Sequence, residues 1–169
     1  TFKADAQMTR AEVTMMFARL LKDRPVGTPF MANRYSDVIE SNWFSYAVDY
    51  MSEQNIVKGY PDGTFRPNAP ITRAEFAAIS AKFDNLLDEG NSTFGDVSEN
   101  HWATKFIAKA AKKGWVSGYP DGTFKPNQNI TRVEVVSSTN RILNRYADVE
   151  FAKLHKGELA PMIDIVETH

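Results

Sequence analysis

The chain has 169 residues, 43% of them hydrophobic and 24% charged, with 20 basic and 21 acidic side chains and a formal net charge of −1. That length holds one domain or a short array of repeats, and so near-neutral a balance gives no global field to hold nucleic acid or an anionic membrane, so anion recognition has to be local. Cysteine is absent, which removes disulfides, thiolate metal sites and a cysteine nucleophile, and no apolar run reaches the roughly 18 residues of a membrane span.

The chain opens "TFKADAQMTRAE", without an initiator methionine. Its start reads as processed or cut, partway through a repeated unit. Thr9 followed by Glu12 has the spacing of a capping box, in which the Thr hydroxyl and the Glu carboxylate satisfy each other's backbone amides at a helix start. Val13, Met16, Phe17, Leu20 and Leu21 follow at helical spacing. A linker at about 22–34 comes next.

A first full unit then runs from Tyr35. Trp43, Ala47, Val48 and Met51 mark one face of a helix that stops at Asn55, a residue that tolerates the left-handed conformation. "IVKGY" is a short apolar piece, and "PDG" is a tight turn: Pro fixes φ, Asp bonds back to the backbone and Gly takes a positive φ. "FRPNAP" leads into a second box at Thr72 and Glu75 and a helix carrying Phe76, Ile79, Phe83 and Leu86.

The same order returns 59 residues later: 35–75 aligns without a gap on 94–134, with 18 of 41 positions identical. The helix of this copy carries Trp102, Phe106, Ala110 and Ala111 and stops at Gly114. "GYPDGTFKPN" repeats "GYPDGTFRPN" with one change, and a third box at Thr131 and Glu134 opens a helix with Val135, Val136, Thr139 and Leu143. Trp115 stands where the other copy has Ile56, so that slot asks only for bulk. At the C-terminus "MIDIVETH" resembles "FGDVSENH", with Asp164 on Asp96 and His169 on His101, and reads as the start of a further copy. One helical pair cannot bury its apolar faces alone, so the copies must pack on one another. The expectation is an all-α fold of repeated helix-loop-helix units with ordered loops.

Each box carries an arginine at the first helical position: Arg10, Arg73 and Arg132. Cations are disfavoured beside the positive end of a helix dipole. One reading is a surface salt bridge, for instance with the Glu two residues on. The other is a pocket in which the guanidinium fork and free helix-terminal amides hold a carboxylate or phosphate. Three arginines at one helix position favour the anion pocket. Trp43 and Trp102 fill equivalent slots, where a tryptophan serves either as a core anchor or as a flat face for a sugar ring. Tyr60 and Tyr119 read as packing residues or as hydroxyl donors.

Catalysis has little support. No isolated acid pair of the glycosidase kind stands out. His101, His155 and His169 lack metal-ligand spacing, "PDG" lacks the alternating acids of a calcium loop, and no phosphate-binding glycine motif occurs.

With "FGDVSENHW", "GYPDGTFKPNQNITRVE", their counterparts at 35–75 and the Thr-Arg-Ala-Glu boxes, the sequence resembles tandem S-layer homology domains of bacterial surface proteins. The resemblance implies the units 1–24 (the end of a first repeat), 33–90 and 92–145, with 146–169 as linker and start of a further repeat. It implies a pseudo-threefold helical bundle with grooves between neighbouring repeats. The implied function is non-catalytic anchoring at the cell surface, with no cofactor, by binding a secondary cell-wall polysaccharide, a peptidoglycan-linked polymer bearing a pyruvate ketal on N-acetylmannosamine. Carried onto this chain, the anion readers are Arg10, Arg73 and Arg132, and the sugar contacts are Asp62, Gly63, Asp121, Gly122, Trp43 and Trp102. The alternative is a self-association module of a surface lattice, with the arginines in protein–protein salt bridges.

Overall fold

The computed structural model describes residues 3–21, 34–84, 92 and 94–145. The expected further copy at the C-terminus, the linkers and Leu86 lie outside the described residues. Within them are five helices: α1 (Arg10–Leu20), α2 (Ser45–Glu53), α3 (Arg73–Phe83), α4 (Thr104–Lys112) and α5 (Arg132–Ile142). The fold is all-α.

All three capping boxes form as the spacing predicts. Thr9, Thr72 and Thr131 accept from the amides of Glu12, Glu75 and Glu134, and each Glu carboxylate returns a bond to the Thr amide. At the ends of α2 and α4, Asn55 (φ 58°) and Gly114 (φ 71°) adopt the left-handed conformation read from the sequence.

The main helix pairings run between copies rather than within one. α2 packs on α1, and α4 packs on α3, so the second helix of one copy receives the first helix of the next. Phe17 of α1 meets Phe76 and Phe83 of α3 at ring separations of 5.8 and 5.1 Å. Around this contact sits one core of Val13, Ala47, Val48, Met51, Phe65, Ile71, Ile107, Ala110, Phe124, Ile130 and Val135. Ile56 and Trp115 are both buried, as their shared slot requires.

Two details differ from the helical faces read in the sequence. Trp43 and Trp102 stand two residues before α2 and α4 begin and are 58% and 59% exposed. Phe44 and Ala103, one residue on, take the core position instead. One residue is about 100° around a helix, so a one-place shift turns a large aromatic from core to solvent. Val136, expected on the apolar face of α5, is exposed for the same reason, with Val135 buried beside it.

Three short backbone pairings close the copies into a ring. Thr9 bridges Pro70, Thr72 bridges Asn129, and Gln7 bridges Thr131. The amides that open each helix complete the circuit. Arg10 and Ala11 donate to the carbonyls of Ala69 and Pro67, Arg73 and Ala74 to those of Gln128 and Pro126, and Arg132 and Val133 to those of Ala6 and Ala4. Each copy thus caps its neighbour's helix, and the third copy is closed by the first. This is the pseudo-threefold arrangement, built from backbone bonds.

Candidate functional site

The first two helical amides of α1, α3 and α5 are spent on that ring, and the third binds the Thr hydroxyl. No free amide cradle is left for an anion at these helix starts. The arginine side chains then have to be judged on their own geometry.

Arg10 is buried, with 7% of its side chain exposed. Its Nε donates to the Phe65 carbonyl, Nη2 to the Lys58 carbonyl and Nη1 to Glu75 Oε1, at 2.7–2.9 Å. Arg73 repeats the pattern on Phe124, Ser117 and Glu134. The acid is therefore not the Glu two residues on but the box Glu of the following copy. Glu75 uses one oxygen for its own cap and the other for Arg10 and the Tyr60 hydroxyl. The misplaced charges at the starts of α1 and α3 are neutralised by the box Glu of the next copy.

Each guanidinium is also held between two ring faces. The Arg10 carbon lies 4.8 Å from the Tyr60 centroid and 4.6 Å from Phe65, and Arg73 has Tyr119 and Phe124 at the same distances. A guanidinium carries five N–H groups. Three are engaged in these bonds, which leaves two without a hydrogen-bond partner among the described residues. Tyr60 and Tyr119 thus act through their faces as well as their hydroxyls. Burial, then the bond to Glu75, raises the Tyr60 pKa.

Arg132 differs. Its side chain is 37% exposed, and its nearest acid, Glu12 Oε1, is 3.7 Å away.

Arg10 and Arg73 each line a groove. The first, about 420 Å³, takes Arg10 from α1, Lys58 to Tyr60 and Phe65 from the second copy's loop, Glu75, Ile79 and Lys82 from α3, and Trp102 and Phe106 from the third copy. Three copies contribute to one groove. The second, about 550 Å³, takes Arg73, the loop from Val116 to Pro120, Phe124, and Glu134, Ser137, Ser138 and Arg141 of α5. Arg10 and Trp102 are thus brought together, although they are 92 positions apart (102 − 10).

Asp62, Gly63, Asp121 and Gly122 sit at exposed loop tips and do not line either groove. Asp62 Oδ1 accepts from the amide and hydroxyl of Thr64, and Oδ2 from Arg66. These bonds, the Thr64 hydroxyl's first, lower its pKa to about 2. Asp121 is lowered likewise, chiefly by the Thr123 hydroxyl. Gly63 and Gly122 have φ of 79° and 81°, the conformation that glycine allows without steric cost.

Two loop devices escaped the sequence reading. Asp37 receives the amides of Phe65 and Arg66, and Asp96 those of Phe124 and Lys125, each at 2.7 Å. They hold Arg66 and Lys125 at φ of 57° and 56°. The signal was present as an aligned Asp in both copies. At Gly59 a Cβ would lie 2.2 Å from Tyr35 Cε1 and 2.6 Å from the Thr64 carbonyl, and Gly118 meets Phe94 the same way.

A family model described as the S-layer homology domain matches residues 34–77 and 93–136. The chain belongs to the S-layer homology domain family. It is 41% identical over 150 residues to a cellulosome-anchoring protein of Acetivibrio thermocellus, covering 85% of this chain and 34% of that protein. Cell surface glycoprotein 1 of the same organism is 40% identical over 158 residues, 86% of this chain and 7% of its own length. S-layer protein sap of Bacillus anthracis is 37% identical over 105 residues, 61% and 13% respectively. The chain therefore spans about a third or less of these relatives.

Proposed function

We propose that this array of S-layer homology repeats is a non-catalytic module that holds a larger protein on the bacterial cell wall. It does so by binding a secondary cell-wall polysaccharide in the grooves between repeats, with a pyruvyl carboxylate of an N-acetylmannosamine unit as the group recognised. Family membership and relatives named for anchoring and for S-layers support the surface role. The observation that carries the ligand reading is the first groove, where a buried guanidinium keeps two unengaged N–H groups beside an exposed tryptophan. Such a fork suits a carboxylate, and a flat indole suits a sugar face.

In this reading Arg10 and Arg73 donate to the carboxylate and Trp102 packs on the ring. Arg132 and Trp43, the repeat equivalents of Arg10 and Trp102, take the same two roles, and the loop tips at Asp62, Gly63, Asp121 and Gly122 meet sugar hydroxyls outside the grooves. The lattice alternative relied on arginines free for another molecule, whereas Arg10 and Arg73 already pair inside the chain.

Co-sedimentation with purified cell walls, before and after the secondary polysaccharide is chemically removed, tests the proposal. Pelleting on intact walls and not on stripped ones is expected, with free polysaccharide competing. Equal pelleting on both overturns it.

A further inference from the structure

The repeated arginine is neutralised inside the protein, so it cannot by itself give a groove its charge. The first groove holds Arg10 against Glu75, which cancel, and then Lys58 and Lys82, leaving two positive charges. In the second, Arg73 and Glu134 cancel and Arg141 remains. Lys82 and Arg141 are the same repeat position, 59 residues apart, and Arg19 occupies it in α1. A basic residue therefore recurs ten positions into each second helix (19 − 9, 82 − 72, 141 − 131, counted from the N-cap).

Lys82 is the best defined of these. It lies on α3 with its ammonium 5.3 Å from the ring centroid of Phe106 in α4, and Trp102, just before α4, borders the groove. Half-burial, then repulsion from Lys58, lowers its pKa, with no carboxylate among the described residues acting in the other direction. An amine in that state gains from an arriving anion what a solvated surface lysine would not.

We propose that Lys82, the half-buried one of the two uncompensated cations of the first groove, takes an anionic group on the bound saccharide together with Arg10, and that Arg141 does the same in the second. This inference rests on the polysaccharide reading above and adds a specificity-determining residue to it. Arg10, fixed by Lys58, Tyr60, Phe65 and Glu75 of the next copy, sets direction; Lys82, with Lys58, supplies the net charge. Trp102 and Phe106 give the first groove an aromatic wall beside that charge.

The test follows the Trp102 indole N–H by NMR, which reports the first groove alone, in the intact chain. The probes are the pyruvyl ketal of methyl N-acetylmannosaminide and, separately, inorganic phosphate. Lys82→Met keeps the apolar stem over Phe106, Lys82→Arg restores the charge, and Lys113→Gln removes a charge from an exposed position as a control. Expected is about tenfold weaker binding of the ketal in Lys82→Met, near-native binding in Lys82→Arg and no change in Lys113→Gln. Unchanged affinity in Lys82→Met, with the native chain binding, overturns the inference and leaves the carboxylate to Arg10. If neither probe moves Trp102 in the native chain, the polysaccharide reading itself fails for this groove and the inference falls with it. Phosphate binding that depends on Lys82 as strongly as ketal binding supports the role of the cation and makes phosphate the anion.

Discussion

Arg10 of the first copy donates to Glu75 of the second across 2.7 Å, and Arg73 of the second repeats the contact with Glu134 of the third. The box Glu is shared between its own helix start and the box arginine of the preceding copy. Copy-to-copy assembly and local helix capping thus depend on the same carboxylate.

Removing one partner of a buried ion pair leaves the other charge uncompensated. Arg10→Met should lower stability by about 3 kcal/mol in urea unfolding. Adding Glu75→Gln, which keeps a capping side chain, should recover part of that loss. Additive single and double effects would show that the pair is not coupled.

Asp37 and Asp96 each hold two loop amides, one of them on a residue with positive φ. Hydrogen bonds to charged groups contribute about 1.5–3 kcal/mol. Asp96→Ala should therefore cost about 3 kcal/mol, and Asp121→Ala at the exposed tip of the same loop should cost clearly less. Equal losses would contradict the assignment.

Gly59 and Gly63 need glycine for different reasons. A methyl group at Gly59 drives into the Tyr35 ring and the Thr64 carbonyl, whereas at Gly63 there is open space and only the backbone conformation resists. Gly63→Ala should cost about 1–2 kcal/mol, and Gly59→Ala more, with displaced Tyr35 and Phe65 ring signals. An unshifted Tyr35 in Gly59→Ala would show that the loop yields instead.

Asp62 has a folded pKa below its ordinary 3.8, at about 2. A depressed carboxylate pKa adds stability that is present above the unfolded value and lost as pH falls through the folded one. The Asp62 contribution should therefore be constant down to about pH 4 and vanish between there and pH 2. An NMR titration of its carboxyl carbon should give a midpoint near 2, and a midpoint at 3.8 would remove the effect.

Much of the fold was readable because it is local. Capping boxes, the left-handed Asn55 and Gly114 and the PDG turns depend on neighbours within a few positions, and a repeated pattern states them more than once. The tryptophans were not settled by periodicity, since α2 and α4 start two residues later than the pattern suggests and one residue turns the face by about 100°. The partner of each arginine was hidden for another reason. Glu75 and Glu134 lie 65 and 61 positions from Arg10 and Arg73, and only the ring of backbone pairings brings them close. That ring also consumes the helix-start amides, which local reasoning counted as free. The groove's second cation was visible as Arg19, Lys82 and Arg141 at one repeat position, but its meaning appears only once the box arginine is seen to be neutralised.

The most direct measurement is an NMR titration of the isotope-labelled chain with purified secondary cell-wall polysaccharide, following side-chain signals of Trp102, Arg10 and Arg73 together with backbone amides. Saturable shifts concentrated on these residues and the loops at 57–60 and 116–120 are expected, lost when the pyruvyl group is removed from the polymer. Shifts confined to surfaces away from both grooves, or binding indifferent to the pyruvyl group, would contradict pyruvyl recognition in the grooves.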